Sequence, residues 1–129
     1  MKHILMIAAG GAAGALCRYW MVNAVNTVSH GKWQLGGFPL GTLAVNVIGS
    51  FCIGIMYVLI TERLALHPDW RSVAMVGFLG AFTTFSTFSL ETITLLESGL
   101  LLNAAVYVVT SLLVCVFASW LAITLTRFL

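Results

Sequence analysis

Between Gly77 and Ser89, in the stretch GFLGAFTTFSTFS, five hydroxyl residues (Thr83, Thr84, Ser86, Thr87, Ser89) interleave with three phenylalanines (Phe82, Phe85, Phe88) over eight positions. Hydroxyls can replace water lost from an ion. A phenyl ring offers a positive edge to an anion or a negative face to a cation. Gly77 and Gly80, just ahead of the cluster, weaken a helix at the same depth. Donors, ring edges and loosely held backbone are the parts from which an ion site is made. Nothing at that depth carries a full positive charge, which favours passage over tight capture, because conduction needs binding weak enough to release. Simple packing would account for two isolated phenylalanines but leaves the five hydroxyls unexplained.

Other polar residues fall in apolar surroundings. Asn46, in GTLAVNVIG, shares a helix face with Gly49 and Ser50, with Gly54 four residues further on. It suits interhelical hydrogen bonding, worth roughly 1 kcal/mol, and equally the donation of amide N–H groups to an anion. Glu91 follows Ser89 by two residues, and a carboxylate inside a span marks a functional site by default. Tyr107, Ser111 and Cys115 recur at intervals of four and form one stripe. Arg18 stands near the end of the first apolar run, placed either to snorkel to the interface or to fold back onto an acceptor at a vestibule. Cys17, Cys52 and Cys115 match no metal spacing and read as small apolar side chains. His30 and His67 sit in loops without a partner in sequence.

These residues need elements that hold them inside a bilayer. Of the 129 residues, 60% are hydrophobic and 8% charged, against about 25% charged in soluble domains; the mean hydropathy is +1.04. A span takes about 20 apolar residues, so the length predicts one all-α integral membrane domain of four spans and leaves no room for a soluble catalytic domain. The predicted spans cover about 4–22, 41–60, 72–96 and 100–126. The N-terminal apolar run reads as the first span and not as a cleaved leader, because it leads to Arg18. Gly10 and Gly14 let another backbone approach it closely. Asn23 to Pro39 reads as a polar, glycine-rich loop, with Trp33 and Phe38 at headgroup level. The third span would reach roughly 37 Å as a continuous helix, beyond the ~30 Å hydrocarbon core, and a break near Gly80–Thr84 is expected. Glu97 closes it as a solvated cap. Both termini fall on one side with Lys2, Arg63, Arg71 and Arg127, a bias toward termini inside. A net charge of +2 without a basic run points to no nucleic-acid partner.

The segments GAAGALCRY (Gly11–Tyr19), GTLAVNVIG (Gly41–Gly49) and GFLGAFTTFSTFS together resemble the small bacterial fluoride channel family, Fluc/CrcB, over essentially the whole chain. The resemblance implies an antiparallel, dual-topology homodimer with parallel fluoride pores, each lined by both subunits. Phe85 and Phe88 would be the pore phenylalanines and Asn46 the pore amide. Ser86, Thr87, Glu91, Tyr107 and Ser111 would form the polar track beside them, and Arg18 matches the family's first-span arginine. Backbone carbonyls of Gly80 and Thr83 from both subunits would hold a structural, non-transported Na⁺ on the two-fold axis. The chain departs from the pattern at Ala81, where a second glycine is frequent, and at Cys115, where serine is common.

The function so implied is passive export of cytoplasmic F⁻ through a bacterial inner-membrane channel, by dehydration of the ion onto Asn46, hydroxyls and the ring edges. A proton-coupled multidrug exporter of similar size is the rival, but it wants a carboxylate in the first span and no acid precedes Glu62. A non-transporting accessory subunit is a further alternative.

Overall fold

The computed structural model describes residues 2–29, 37–63 and 68–129. His30, Lys32, Trp33 and His67 lie outside the described residues, and with them the interfacial place expected for Trp33. Among the described residues the chain is helical, without strands. The elements are α1 (Lys2–Ser29), α2 (Leu40–Tyr57) prolonged by the wider π-helical turn π1 (Val58–Arg63), α3 (Pro68–Arg71), π2 (Ser72–Leu79), α4 (Gly80–Phe82), α5 (Phe85–Glu97) and α6 (Leu101–Phe128). They make four stretches long and apolar enough to cross a membrane: Lys2–Ser29, Leu40–Arg63, Asp69–Glu97 and Leu101–Phe128.

The first helix runs further than the polar character of Asn23–Ser29 suggests. Neither glycine nor proline interrupts it after Gly14, and its polar side chains bond back to their own helix. Thr27 Oγ1 donates to the Asn23 carbonyl over 2.8 Å and Ser29 Oγ to that of Val25 over 2.7 Å. At 28 residues it is about 42 Å long, enough to emerge from the hydrocarbon layer.

Close approach at glycine positions the third span. The α1 face carrying Gly10 and Gly14 lies against π2: a Cβ on Gly10 would stand 2.7 Å from the Val73 carbonyl oxygen, and one on Gly14 would collide with that of Phe78. Gly77 answers from the other side, 2.8 Å from the Ile7 carbonyl on the same measure. Without a hydrophobic drive between helices in lipid, such contact is what holds them together. On the far side α2 packs along α6, with Gly54 against the Ser119 carbonyl and Ala122, and Ser119 Oγ donating to the Ser50 carbonyl over 2.8 Å.

Between α4 and α5 the backbone is extended, at Thr83 (φ −82°, ψ 158°) and Thr84 (φ −150°, ψ 117°). Thr84 then caps α5, its Oγ1 accepting from the Thr87 N–H over 3.2 Å. The other end of α5 closes on Gly99 at φ 75°. Gly99 N–H donates to Leu96 and Leu100 N–H to Leu95, at 3.0 and 2.9 Å, the paired bonds of a Schellman stop. Glu97 is exposed there.

Charged contacts gather at one end of the bundle. Arg127 grips Glu62 with two bonds, Nε to Oε2 at 2.9 Å and Nη2 to Oε1 at 2.5 Å, and Arg63 Nη2 reaches the Arg127 carbonyl over 2.8 Å. His3 Nδ1 lies 2.7 Å from Asp69 Oδ1. His3 and Arg127, near the two chain ends, thus meet the start of the third span and the end of the second. The small buried core centres on Phe88, Leu95, Ala104 and Tyr107, while large apolar side chains on every span face outward, as suits a protein dissolved in lipid.

Candidate functional site

Asn46 projects from the second span onto the extended pair Thr83–Thr84. Its Oδ1 accepts from the Thr84 N–H over 2.8 Å and its Nδ2 donates to the Thr84 carbonyl over 3.1 Å. The side-chain amide therefore pairs with a peptide group as a neighbouring strand would. One amide N–H is committed to Thr84; a second remains on the same nitrogen. Gly49, one turn further along, makes the approach possible, since a Cβ there would collide with the Thr83 methyl group.

Beside this pair opens a cleft of about 320 Å³, with Asn46, Gly80, Thr83, Phe85, Phe88 and Ser111 among its walls, together with Thr84 and Cys115. Phe85 and Phe88 stand with ring centroids 5.4 Å apart and planes tilted by 39°. Their surroundings differ sharply: Phe85 is 74% exposed and Phe88 8%. Phe88 leans on Tyr107 at 5.1 Å between centroids, and Phe38 meets Tyr107 edge-on at 5.4 Å. Ser111, one turn along α6 from Tyr107, is buried, and its Oγ has no hydrogen-bond partner among the described residues. A buried hydroxyl left so costs about 1–3 kcal/mol.

Tyr107 and Glu91 form a second polar group behind Phe88. The Tyr107 phenol donates to Glu91 Oε2 and the Thr42 hydroxyl to Oε1, each over 2.7 Å. Both carboxylate oxygens are thus held by hydroxyl donors from the fourth and second spans. Ser86 and Thr87 are exposed and gather on Thr84 Oγ1, at 3.2 and 3.0 Å. They belong to the cap of α5 and are not among the cleft walls. Arg18 lies half-buried on α1, away from the cleft, and meets neither a hydrogen-bond acceptor nor a carboxylate among the described residues. Cys17, Cys52 and Cys115 are free thiols.

Thr42 and Thr84 are the polar residues that sequence reasoning did not assign. Thr42 stands four positions before Asn46, so the helical spacing that singled out Asn46, Gly49 and Ser50 extends to it. Thr84 was visible as one hydroxyl of five, but its backbone is what Asn46 holds, and no side-chain pattern reports that.

Four apolar spans, with an amide, hydroxyls and phenyl rings facing one another at membrane depth, define a small multi-span membrane protein whose polar chemistry lies inside the bilayer. The chain belongs to the CrcB family: it matches the family described as CrcB-like protein, Camphor Resistance (CrcB), over residues 5–123. It is similar to proteins named fluoride-specific ion channel FluC. It is 48% identical to that of Methylococcus capsulatus over 96% of this chain, and spans about half of that relative, 52%. It is 47% identical to that of Hahella chejuensis, covering 98% of this chain and 96% of the relative. With that of Geotalea daltonii it shares 43% identity over the full length of both.

Proposed function

We propose that the protein is a passive, fluoride-selective channel that releases cytoplasmic F⁻ down its gradient and so lowers its concentration and toxicity. The reading is carried by one observation: Asn46, Phe85, Phe88 and Ser111 wall a single cleft where the third span is extended, in a chain similar over its whole length to proteins named for fluoride. F⁻ entering this cleft exchanges water for the free N–H of Asn46, the unpartnered Ser111 hydroxyl and the positive edges of Phe85 and Phe88. The Ser111 hydroxyl gains the partner it lacks, which offsets part of the dehydration. Ser86, Thr87, Glu91 and Tyr107 continue the polar track on either side of the ring pair, and Arg18 serves an outer vestibule. The reaction involves no covalent chemistry.

A second copy of the chain, inserted in the opposite orientation, completes the pore. Phe85 and Gly80 are exposed on the open side of the cleft, where a partner subunit would close it; lipid of the bacterial inner membrane covers the rest. Both orientations suit a protein with few charges to fix its topology.

The dimer axis would carry a structural Na⁺, held by the backbone carbonyls of Gly80 and Thr83 from each subunit. The residues fit such an ion. Carbonyl oxygens are suitable donors for a hard cation. The amides that a continuous helix would return to those carbonyls are engaged elsewhere: Thr84 N–H by Asn46 and Thr87 N–H by Thr84 Oγ1. An ion held there would supply fixed positive charge beside the anion path without being transported.

Ion efflux from liposomes containing only this protein tests the reading. Rapid F⁻ efflux, negligible Cl⁻ efflux and no dependence on a proton gradient are expected. Silence from folded protein would overturn it, and efflux coupled to protons would favour an exporter. Flux that survives full replacement of Na⁺ by a large organic cation would overturn the sodium assignment.

A further inference from the structure

We infer that Asn46 and Thr84 are positioning residues for the cation site, keeping the carbonyls of Gly80 and Thr83 free by taking the amides that would otherwise bond to them. This rests on the sodium reading above. In an uninterrupted helix the N–H of residue 84 bonds to the carbonyl of residue 80, and that of 87 to 83. Here the Thr84 N–H turns to Asn46 Oδ1 at 2.8 Å and the Thr87 N–H to Thr84 Oγ1 at 3.2 Å. Thr83 offers no substitute, because both its N–H and its Oγ1 return to the Leu79 carbonyl, each at 3.0 Å. Asn46 Nδ2 also holds the Thr84 carbonyl at 3.1 Å, so the peptide is gripped from both edges and cannot swing back into helical register without losing two bonds.

The second span is built to deliver that grip. Asn46 and Gly49 are one turn apart, and Gly49 admits the Thr83 methyl where any side chain would push it away. Asn46 therefore serves both proposed sites: its two bonds set the backbone at Thr84 beside the cation site, and the residue also walls the anion cleft with one N–H to spare. The two roles separate chemically. An acceptor at Oδ1 suffices to hold the Thr84 N–H, whereas an anion needs a donor.

The test measures thermal unfolding of the purified full-length protein against Na⁺ concentration, with N-methylglucamine as the balancing cation, and F⁻ efflux alongside. Wild type is expected to be stabilised by Na⁺ with a definable midpoint. Asn46→Ala should raise that midpoint by about tenfold, the factor matching one net hydrogen bond, and Thr84→Val should raise it several-fold. Thr84→Ser, which keeps the capping hydroxyl, should restore it. Asn46→Asp retains the acceptor for the Thr84 N–H but loses the donor to the Thr84 carbonyl, so its midpoint should rise less than that of Asn46→Ala, while its F⁻ efflux falls because a carboxylate replaces the donor. A purely structural role would lower the unfolding temperature at every Na⁺ concentration and leave the midpoint in place; that result for both Asn46→Ala and Thr84→Val would overturn the inference. Should Asn46→Ala fail to fold, the Thr84→Val and Thr84→Ser pair decides alone. A wild-type protein indifferent to Na⁺ would overturn the sodium reading itself, a result distinct from an unmoved midpoint.

Discussion

Tyr107 and Glu91 meet between the fourth and third spans, the phenol donating to Oε2 over 2.7 Å, with Tyr107 fully buried and its ring against Phe88. The bond links the polar group at Glu91 to the wall of the cleft, since whatever fixes the phenol also fixes the face on which Phe88 rests.

Tyr107→Phe keeps the ring stack but leaves Glu91 Oε2 without its donor, which should cost about 1–3 kcal/mol. Glu91→Gln removes the charge and should cost less in the Tyr107→Phe background than in wild type. A double-mutant cycle on unfolding should therefore show coupling of about 1 kcal/mol. Additive losses would mean that the contact contributes nothing.

Phe85 and Phe88 should separate by phenotype. Phe85 is exposed on the side where the partner subunit would close the cleft, so Phe85→Ile should lower the unfolding temperature less than Phe88→Ala does, while F⁻ efflux from liposomes falls at least about tenfold. Phe88 is buried against Tyr107, so Phe88→Ala should cost about 3 kcal/mol from the lost ring and the cavity left behind. Unchanged efflux from Phe85→Ile and Phe88→Ile alike would show that the rings only pack.

Gly14 carries the tightest meeting of the first and third spans. Gly14→Ala places a methyl group against the Phe78 carbonyl, which backbone movement alone can relieve, at about 1–3 kcal/mol. Gly11 has nothing nearer than 3.8 Å by the same measure, and Gly11→Ala should be neutral or slightly stabilising. Comparing the two unfolding temperatures checks the direction of helix packing.

Gly99 tests the backbone with no packing term. A Cβ there meets nothing within 4 Å, yet φ is +75°. Gly99→Ala should cost about 1 kcal/mol by strain alone, and Gly99→Asn less, since Asn visits that region more readily. Equal stability of the two variants would refute this reading of the stop after α5.

The number and apolar character of the spans were legible along the chain, as were the glycines that admit a neighbouring helix at Gly10 and Gly14. The Asn46 face was legible too: Asn46, Gly49 and Ser50 all wall the cleft. Less was visible at the ends of elements. Asn23–Ser29 looks like loop by polarity, but side chains that bond to carbonyls four residues back keep it helical, so the first span is longer than its apolar run. The paired bonds at Gly99 are a feature of the folded backbone that residue types alone do not announce.

By itself, the sequence determined that this protein lives in a membrane, how many times it can cross, and to which family it belongs. Hydropathy, helical period and motif are properties of neighbouring residues, and they survive in one dimension. Only the tertiary structure decided what the cluster from Gly77 to Ser89 does with its groups. Asn46 reaches Thr84 across 38 positions and Thr42 reaches Glu91 across 49; such partners are set by how closely glycine faces let the helices dock. The same docking decides which hydroxyls are spent on the backbone, as at Thr84, and which remain unpartnered, as at Ser111.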